Sequence, residues 1–180
     1  LMFVPEGISA ADAVFLPAVE TALSIAHDCH PRAGESVAVF GQGLIGLLVT
    51  AVLAKTMGVV VTAVDGVPRR RALARKCGAA VVAAPGGLVE ALAINHGNDS
   101  GYGGNSGDGD SSSNNQKFDV TVEVSGNPQA LDAAVAATRA GGKCVVASWY
   151  SKRRPVALRL GTAYHRSHVS IIASQVSDLT

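Results

Sequence analysis

From Ser36 to Val49 a short β-branched apolar run, SVAVF, passes through GQG into a second apolar run, LIGLLV. The first run has the length and Val content of a buried strand, and the second is apolar on every side, as a buried helix is. A strand that becomes a helix within three residues needs a tight turn, which glycine permits. A strand and a helix joined this closely must pack on each other. That makes the unit half of a strand–helix–strand repeat, and the rest of the chain repeats its grammar.

LIGLLVTAVLAKTMG (44–58) predicts one helix stopped by Gly58. VVVTAVD (59–65) predicts a second strand, and PRRRALARKCG (68–78) a helix opened by Pro and closed by Gly. AAVVA (79–83) predicts a strand and GLVEALAIN (87–95) a helix. FDVTVEVSG (118–126), NPQALDAAVAATRAGG (127–142), KCVVASWY (143–150) and HVSIIAS (168–174) predict strand, helix, strand and strand. AVETALSIAHDC (18–29) predicts a helix ahead of the first strand. Continuously apolar strands alternating with helices imply an α/β chain with a parallel sheet covered on both faces. The right-handed crossover rule then favours a doubly wound parallel sheet, the Rossmann fold, with about six strands. Residues 1–30 read as a lead-in segment and 31–176 as the folded domain.

NHGNDSGYGGNSGDGDSSSNNQK (95–117) breaks the pattern, being almost all Gly, Ser, Asn and Asp. It cannot bury enough apolar surface to offset its ordering entropy, so 97–117 are expected to be a disordered low-complexity insertion. DGD at 108–110 lacks the spacing of a calcium loop.

The net charge of +1 gives no general case for nucleic acid or an anionic surface, and Arg69, Arg70, Arg71 and Arg75 read first as a solvated helix face. Cys29, Cys77 and Cys144 are odd in number and contain no CxxC pair, which argues against a disulfide framework and for a reducing compartment. The expected location is the cytoplasm or a compartment such as the plastid stroma. No apolar run reaches the ~18 residues of a membrane span. The N-terminus is not a signal peptide, and it opens with Leu1 rather than Met, so the chain is expected to be a segment of a longer one.

Gly41-x-Gly43-x-x-Gly46, placed between a strand and a helix, is the setting of a dinucleotide fingerprint. Gly41 permits the turn, Gly43 admits a pyrophosphate, and Gly46 lets the helix approach the strand. Leu44 and Ile45 open the helix whose N-terminus faces the phosphates. Asp65 ends the next strand about 20 positions on, where a carboxylate accepts ribose hydroxyls. A 2′-phosphate would meet a like charge there, so NAD is favoured over NADP, although Arg70 and its neighbours could pair with that phosphate. The alternative for Asp65 is a cap on the turn before Pro68. Ser125, Gly126, Ser148 and Trp149 stand at the carboxyl ends of later strands, the edge where such sheets bind ligands. His165 and His168 lie just before the last strand and are candidates for proton transfer near the nicotinamide end or, alternatively, surface residues. His27 to His30, HDCH, read as a polar helix end without a second ligand cluster, so no metal site is assigned. No GxSxG elbow supports a hydrolase.

PRAGESVAVFGQGLIGLLVTAVLAKTMG, VDGVPRRRALARKCGAAVV and FDVTVEVSGNPQALDAAVAATRAGGKCVVAS together resemble the cofactor domain of the medium-chain dehydrogenase/reductase family, the zinc-type alcohol-dehydrogenase-like proteins. FLPAVETAL, ASWY and YHRSHVSIIASQVS resemble a branch that includes bacteriochlorophyllide dehydrogenase. The resemblance implies a NAD-dependent oxidoreductase acting on an alcohol or carbonyl, with a GroES-like catalytic half outside this chain. It also implies zinc, held mostly in that other half, and a homo-oligomer. One family zinc ligand stands just before the lead-in proline. Here that position is Leu16, which cannot bind zinc, with Glu20 nearby as a weak catalytic candidate. The rival readings are a non-catalytic nucleotide sensor of the same fold and a methyltransferase, whose sheet would close with an antiparallel hairpin. Deleting 97–117 is expected to change thermal stability by less than ~1 kcal/mol, checked by comparing melting curves of the parent and the joined chain.

Overall fold

The computed structural model describes residues 4–88, 117–150 and 158–176. The expected helix at 87–95 beyond Leu88 and the insertion at 97–116 lie outside these residues. After a short helix α1 (Ala10–Ala13) the order is α2 (Leu16–Cys29), β1 (Ser36–Phe40), α3 (Leu44–Ala51), β2 (Val60–Val64), α4 (Pro68–Cys77) and β3 (Val81–Ala83). Then come β4 (Phe118–Glu123), α5 (Pro128–Ala137), β5 (Thr138–Val146), α6 (Thr162–Ser167) and β6 (Ser170–Ala173). The strands form one sheet in the order β3-β2-β1-β4-β5-β6, with every pairing parallel. This is the doubly wound order, whose direction reverses between β1 and β4.

Strand alternation builds two cores. Val37, Val39, Val61, Val122 and Val145 point to one face, where Ala22, Ile25, Ala26 and Cys29 of α2 and Val49 of α3 cover them. The α2 residues recur at helical spacing, which is why one stripe of this helix is buried. Ala38, Phe40, Phe118 and Cys144 point to the other face, under Leu131, Ala134 and Val135 of α5. Burial pushes the Cys29 thiol up to about 12 and the Cys144 thiol up to about 11, so both are inert packing groups. The Cys29–His30 end of α2 closes on His30 in the left-handed region (φ 42°), with His27 in the last turn, so HDCH is a helix terminus.

Several boundaries differ from the sequence expectation. The helix after β1 leaves α geometry at Val52 and continues as a π-turn through Thr56. The helix expected to reach 142 stops at Ala137, and residues 138–142 join the sheet through an irregular stretch of β5. A Cβ on Gly142 would lie 2.7 Å from the Asp119 carbonyl oxygen, so the chain must pass there as glycine. β5 pairs only to Val146, and 147–150 leave the sheet. Residues 162–167, given no element from sequence, form α6.

Asp119 ties three strands together at the amino edge of the sheet. Its carboxylate accepts the Ser36 N–H (2.8 Å) and hydroxyl (2.9 Å) from β1 and the Arg139 Nε–H (2.5 Å) from β5. Burial alone would raise its pKa. The hydrogen bonds from Ser36 and Arg139 outweigh that and hold the carboxyl below its ordinary value of 3.8. Because the folded pKa is depressed, the stabilisation is complete above 3.8 and is lost as pH falls through the lower folded value. Asp119→Asn is expected to cost about 1 kcal/mol at pH 7, a difference that shrinks below pH 4. Urea unfolding of parent and variant at both pH values checks this.

Candidate dinucleotide site

β1 ends at Phe40, and the chain turns on Gly41 at φ 98°, with the Gly41 N–H donating to the Val64 carbonyl at 2.8 Å. A Cβ on Gly41 would sit 2.6 Å from Ser125 Cα, so this turn and the β4–α5 turn touch backbone to backbone. A Cβ on Gly46 would lie 1.9 Å from the Gly41 carbonyl oxygen, so α3 can approach the strand only through glycine. Gly43 is different. Its backbone is ordinary (φ −74°, ψ −165°), and a Cβ there would meet nothing within 4 Å. The protein itself makes no demand for glycine at this position, but a ligand lying over the helix start would. Leu44 is exposed at the first helical position, while Ile45 packs inward against the first core.

Asp65 is buried just past β2. One of its oxygens accepts the Gln42 N–H at 2.7 Å and the other the Val67 N–H at 2.7 Å. The turn cap weighed from sequence is therefore present. The carboxylate does cap the turn before Pro68, and it also fixes the middle residue of the glycine loop. A carboxylate has about four acceptor sites, so two donors leave capacity for more. The Arg70 guanidinium stands 3.7 Å from it, and Arg71 donates to the Asp65 carbonyl at 2.7 Å. Two of the clustered arginines are thus turned toward the end of β2. Gln42, passed over in the sequence reading, is fully buried, with its amide donating to the Val39 carbonyl (3.1 Å) and accepting the Thr50 hydroxyl (3.1 Å).

Phe40, Gly41, Asp65, Gly66, Arg70, Pro85, Ser125 and Asn127 line a cleft of about 340 Å³ at the carboxyl edge of the sheet. Next in sequence to Ser125, the Gly126 N–H donates to Ser148 Oγ at 2.8 Å, and neither of these two lines the cleft. Glu123, the last residue of β4 and fully buried, was not singled out from sequence. It accepts the Ser125 N–H (2.8 Å) and hydroxyl (2.5 Å), and the Tyr150 hydroxyl donates to its other oxygen. Burial and this bond raise the Tyr150 pKa, so the phenol keeps its proton. The available signal was a carboxylate at the last position of β4, right before the Ser125–Gly126 turn.

The remaining candidates lie elsewhere. Trp149 is 88% exposed and does not line the cleft. His165 and His168 border a separate shallow depression with Tyr164 and Arg166. They precede β6, and a parallel strand is entered from the amino edge, so they sit on the side of the sheet away from Gly41. The sequence reading placed them at the nicotinamide end, and the sheet's direction corrects that. Leu16 begins α2 with an exposed apolar side chain, and Glu20 is exposed. Among the described residues no three His, Cys, Asp or Glu side chains stand close enough to hold a metal ion. They do not fit a zinc site. No helix among them is long and apolar enough to cross a membrane.

The family model described as zinc-binding dehydrogenase matches residues 45–178. An alcohol dehydrogenase of Cupriavidus necator is 36% identical over 80 residues, which is 44% of this chain and 22% of that protein. A short chain alcohol dehydrogenase from E. coli CFT073, solved with NADH, superposes with a TM-score of 0.76 at 21% identity, over 97% of this chain and 46% of that one. A protein described as a zinc-binding dehydrogenase from Sinorhizobium meliloti 1021, bound to NADP, gives 0.74 at 23% identity, over 95% and 46%. The chain spans less than half the length of these relatives.

The geometry separates the three glycines by experiment. Gly46→Ala is expected to destabilise the fold by more than ~2 kcal/mol, the scale of forced overpacking, whereas Gly43→Ala is expected to stay within ~0.5 kcal/mol of the parent. Equilibrium unfolding in urea measures both.

Proposed function

The chain belongs to the zinc-binding dehydrogenase family, and on that premise we propose that it is the NAD-binding half of an oxidoreductase that moves a hydride between nicotinamide and an alcohol or carbonyl carbon. The observation that carries this reading is Gly43, a residue whose missing side chain serves nothing in the protein and leaves open the space over the start of α3. Unpaired N–H groups and the positive end of that helix suit a pyrophosphate. Asp65 takes the adenosine ribose hydroxyls with its remaining acceptor capacity, and Arg70 borders the same cleft. Ser125 lines the same cleft, and its chain neighbour Gly126 is held by Ser148. The bound nicotinamide supplies the hydride chemistry. This chain binds and orients it, and the proton of the alcohol is handled by residues outside the segment.

The relatives include proteins solved with NADH and with NADP, so the choice rests on Asp65. A carboxylate and a 2′-phosphate ~4 Å apart repel by up to about 4 kcal/mol at an effective dielectric of 20, much reduced by solvent at this end. The non-catalytic sensor reading shares this cleft and differs only in what surrounds it. The methyltransferase reading loses its support, since the described sheet is parallel throughout. Free thiols at Cys29, Cys77 and Cys144 agree with a reducing compartment, cytoplasm or stroma.

Fluorescence titration of the chain is expected to give on the order of tenfold or greater preference for NADH over NADPH. Gly43→Val is expected to abolish NADH binding with the circular dichroism spectrum unchanged. Asp65→Ser is expected to lose NADH affinity and also to lower the melting temperature, because it frees the Gln42 and Val67 amides. Unchanged NADH binding in Gly43→Val would sink the assignment of the loop, and a parent that prefers NADPH would sink the assignment of the cofactor.

A further inference from the structure

The wall of the cleft opposite Asp65 is held by a group that no dinucleotide fingerprint includes. Glu123 sits at the end of β4, between Phe40 of β1 and Val146 of β5 in the sheet register, and is fully buried. Among the described residues no cation pairs with it. A buried carboxylate is costly unless donors converge on it, and here three do. Two come from Ser125, its N–H and its hydroxyl, and the third from Tyr150 beyond β5. Ser125 Oγ in turn accepts the Asn127 N–H at 3.1 Å, and Asn127 Oδ1 caps α5 by accepting the Gln129 N–H at 3.1 Å. One carboxylate therefore organises the whole β4–α5 turn. That turn is itself in backbone contact with Gly41, since the space a Gly41 Cβ would need is filled by Ser125.

The geometry points to Glu123 as a positioning residue of the cofactor cleft, with Tyr150 as its tie to the segment after β5. It sets the distance between the Ser125–Asn127 turn and the glycine loop, and so the width of the space the dinucleotide enters. The inference rests on the dinucleotide reading above for its ligand, but the positioning itself does not. Asp65 does the same work from the β2 side by holding the Gln42 amide. The glycine loop is thus clamped between two carboxylates, each spent on backbone donors of a ligand-facing turn.

The test uses Glu123→Leu/Tyr150→Phe, which replaces the Glu123–Tyr150 pair with apolar groups of similar volume and takes the acceptor away from the Ser125 N–H and hydroxyl. Two measurements are made on the purified chain: NADH titration, and amide hydrogen exchange at Ser125, Gly126 and Asn127 with β1 as the internal control. The expected result is about tenfold weaker NADH binding, equivalent to ~1.4 kcal/mol, and faster exchange confined to the turn and the glycine loop. Glu123→Gln, which still accepts from Ser125 and can donate to the Tyr150 oxygen, is expected to restore NADH affinity to within about threefold of the parent. Parent-like NADH affinity in the double variant overturns the proposal, and so does exchange that is unchanged or that rises equally in β1. A parent that fails to bind NADH would instead defeat the dinucleotide reading, and the exchange comparison would still decide this one. If circular dichroism shows the double variant unfolded, Tyr150→Phe alone enters the same two measurements, and unchanged values in both would overturn the proposal.

Discussion

The contact on which the rest of the molecule depends is the approach of Gly46 to the carbonyl oxygen of Gly41. With 1.9 Å between that oxygen and the place a Cβ would occupy, only glycine lets α3 start so close to the end of β1. This close approach lets α3 lie over the β1 valines and places its N-terminus at the carboxyl edge of the sheet. The same turn on Gly41 presses against Ser125 across the point where strand order reverses. Fold and candidate site are therefore fixed by one steric constraint, read by two helices and two turns.

Electrostatics then completes what sterics begins. Asp65 and Glu123 end neighbouring strands on either side of β1, and both are buried. Neither is free in the described structure. Asp65 holds the Gln42 and Val67 amides, and Glu123 holds Ser125 and Tyr150. Low dielectric makes such bonds strong and makes their loss expensive, which suits groups that must keep loops in place before a ligand arrives. At the opposite edge Asp119 does the corresponding work for the sheet, joining β1, β4 and β5. The carboxyl edge is organised for a ligand and the amino edge for stability.

Much of this was legible in the chain. The alternation of valine-rich runs with helical ones gave the parallel sheet, because a strand buried on both faces must be apolar at every position. The spacing of Gly41 and Gly46 gave the turn between β1 and α3, because each of the two answers a local geometric need. Misreadings arose where the need was not local. The helix expected to run to 142 ends at Ala137, since the Gly142 backbone must pass the Asp119 carbonyl, a residue far off in sequence. His165 was placed at the nicotinamide end from its position beside a strand, but a strand's direction in the sheet decides which edge its neighbours occupy. Trp149 was expected at the cleft and is instead exposed beyond it.

What the sequence by itself determined is the architecture and the glycine turn between β1 and α3, since both follow from periodicity and from short-range steric rules. Only the tertiary structure separated Gly46, which the fold requires, from Gly43, which the fold does not, because that difference lies in which atoms of other segments fill the space beside each one. Likewise the sequence showed a carboxylate at Asp65 but not that its oxygens already hold two amides. It passed over Glu123 because a buried charge reveals its purpose only when its donors, drawn from a turn and a distant tyrosine, are brought within hydrogen-bond reach.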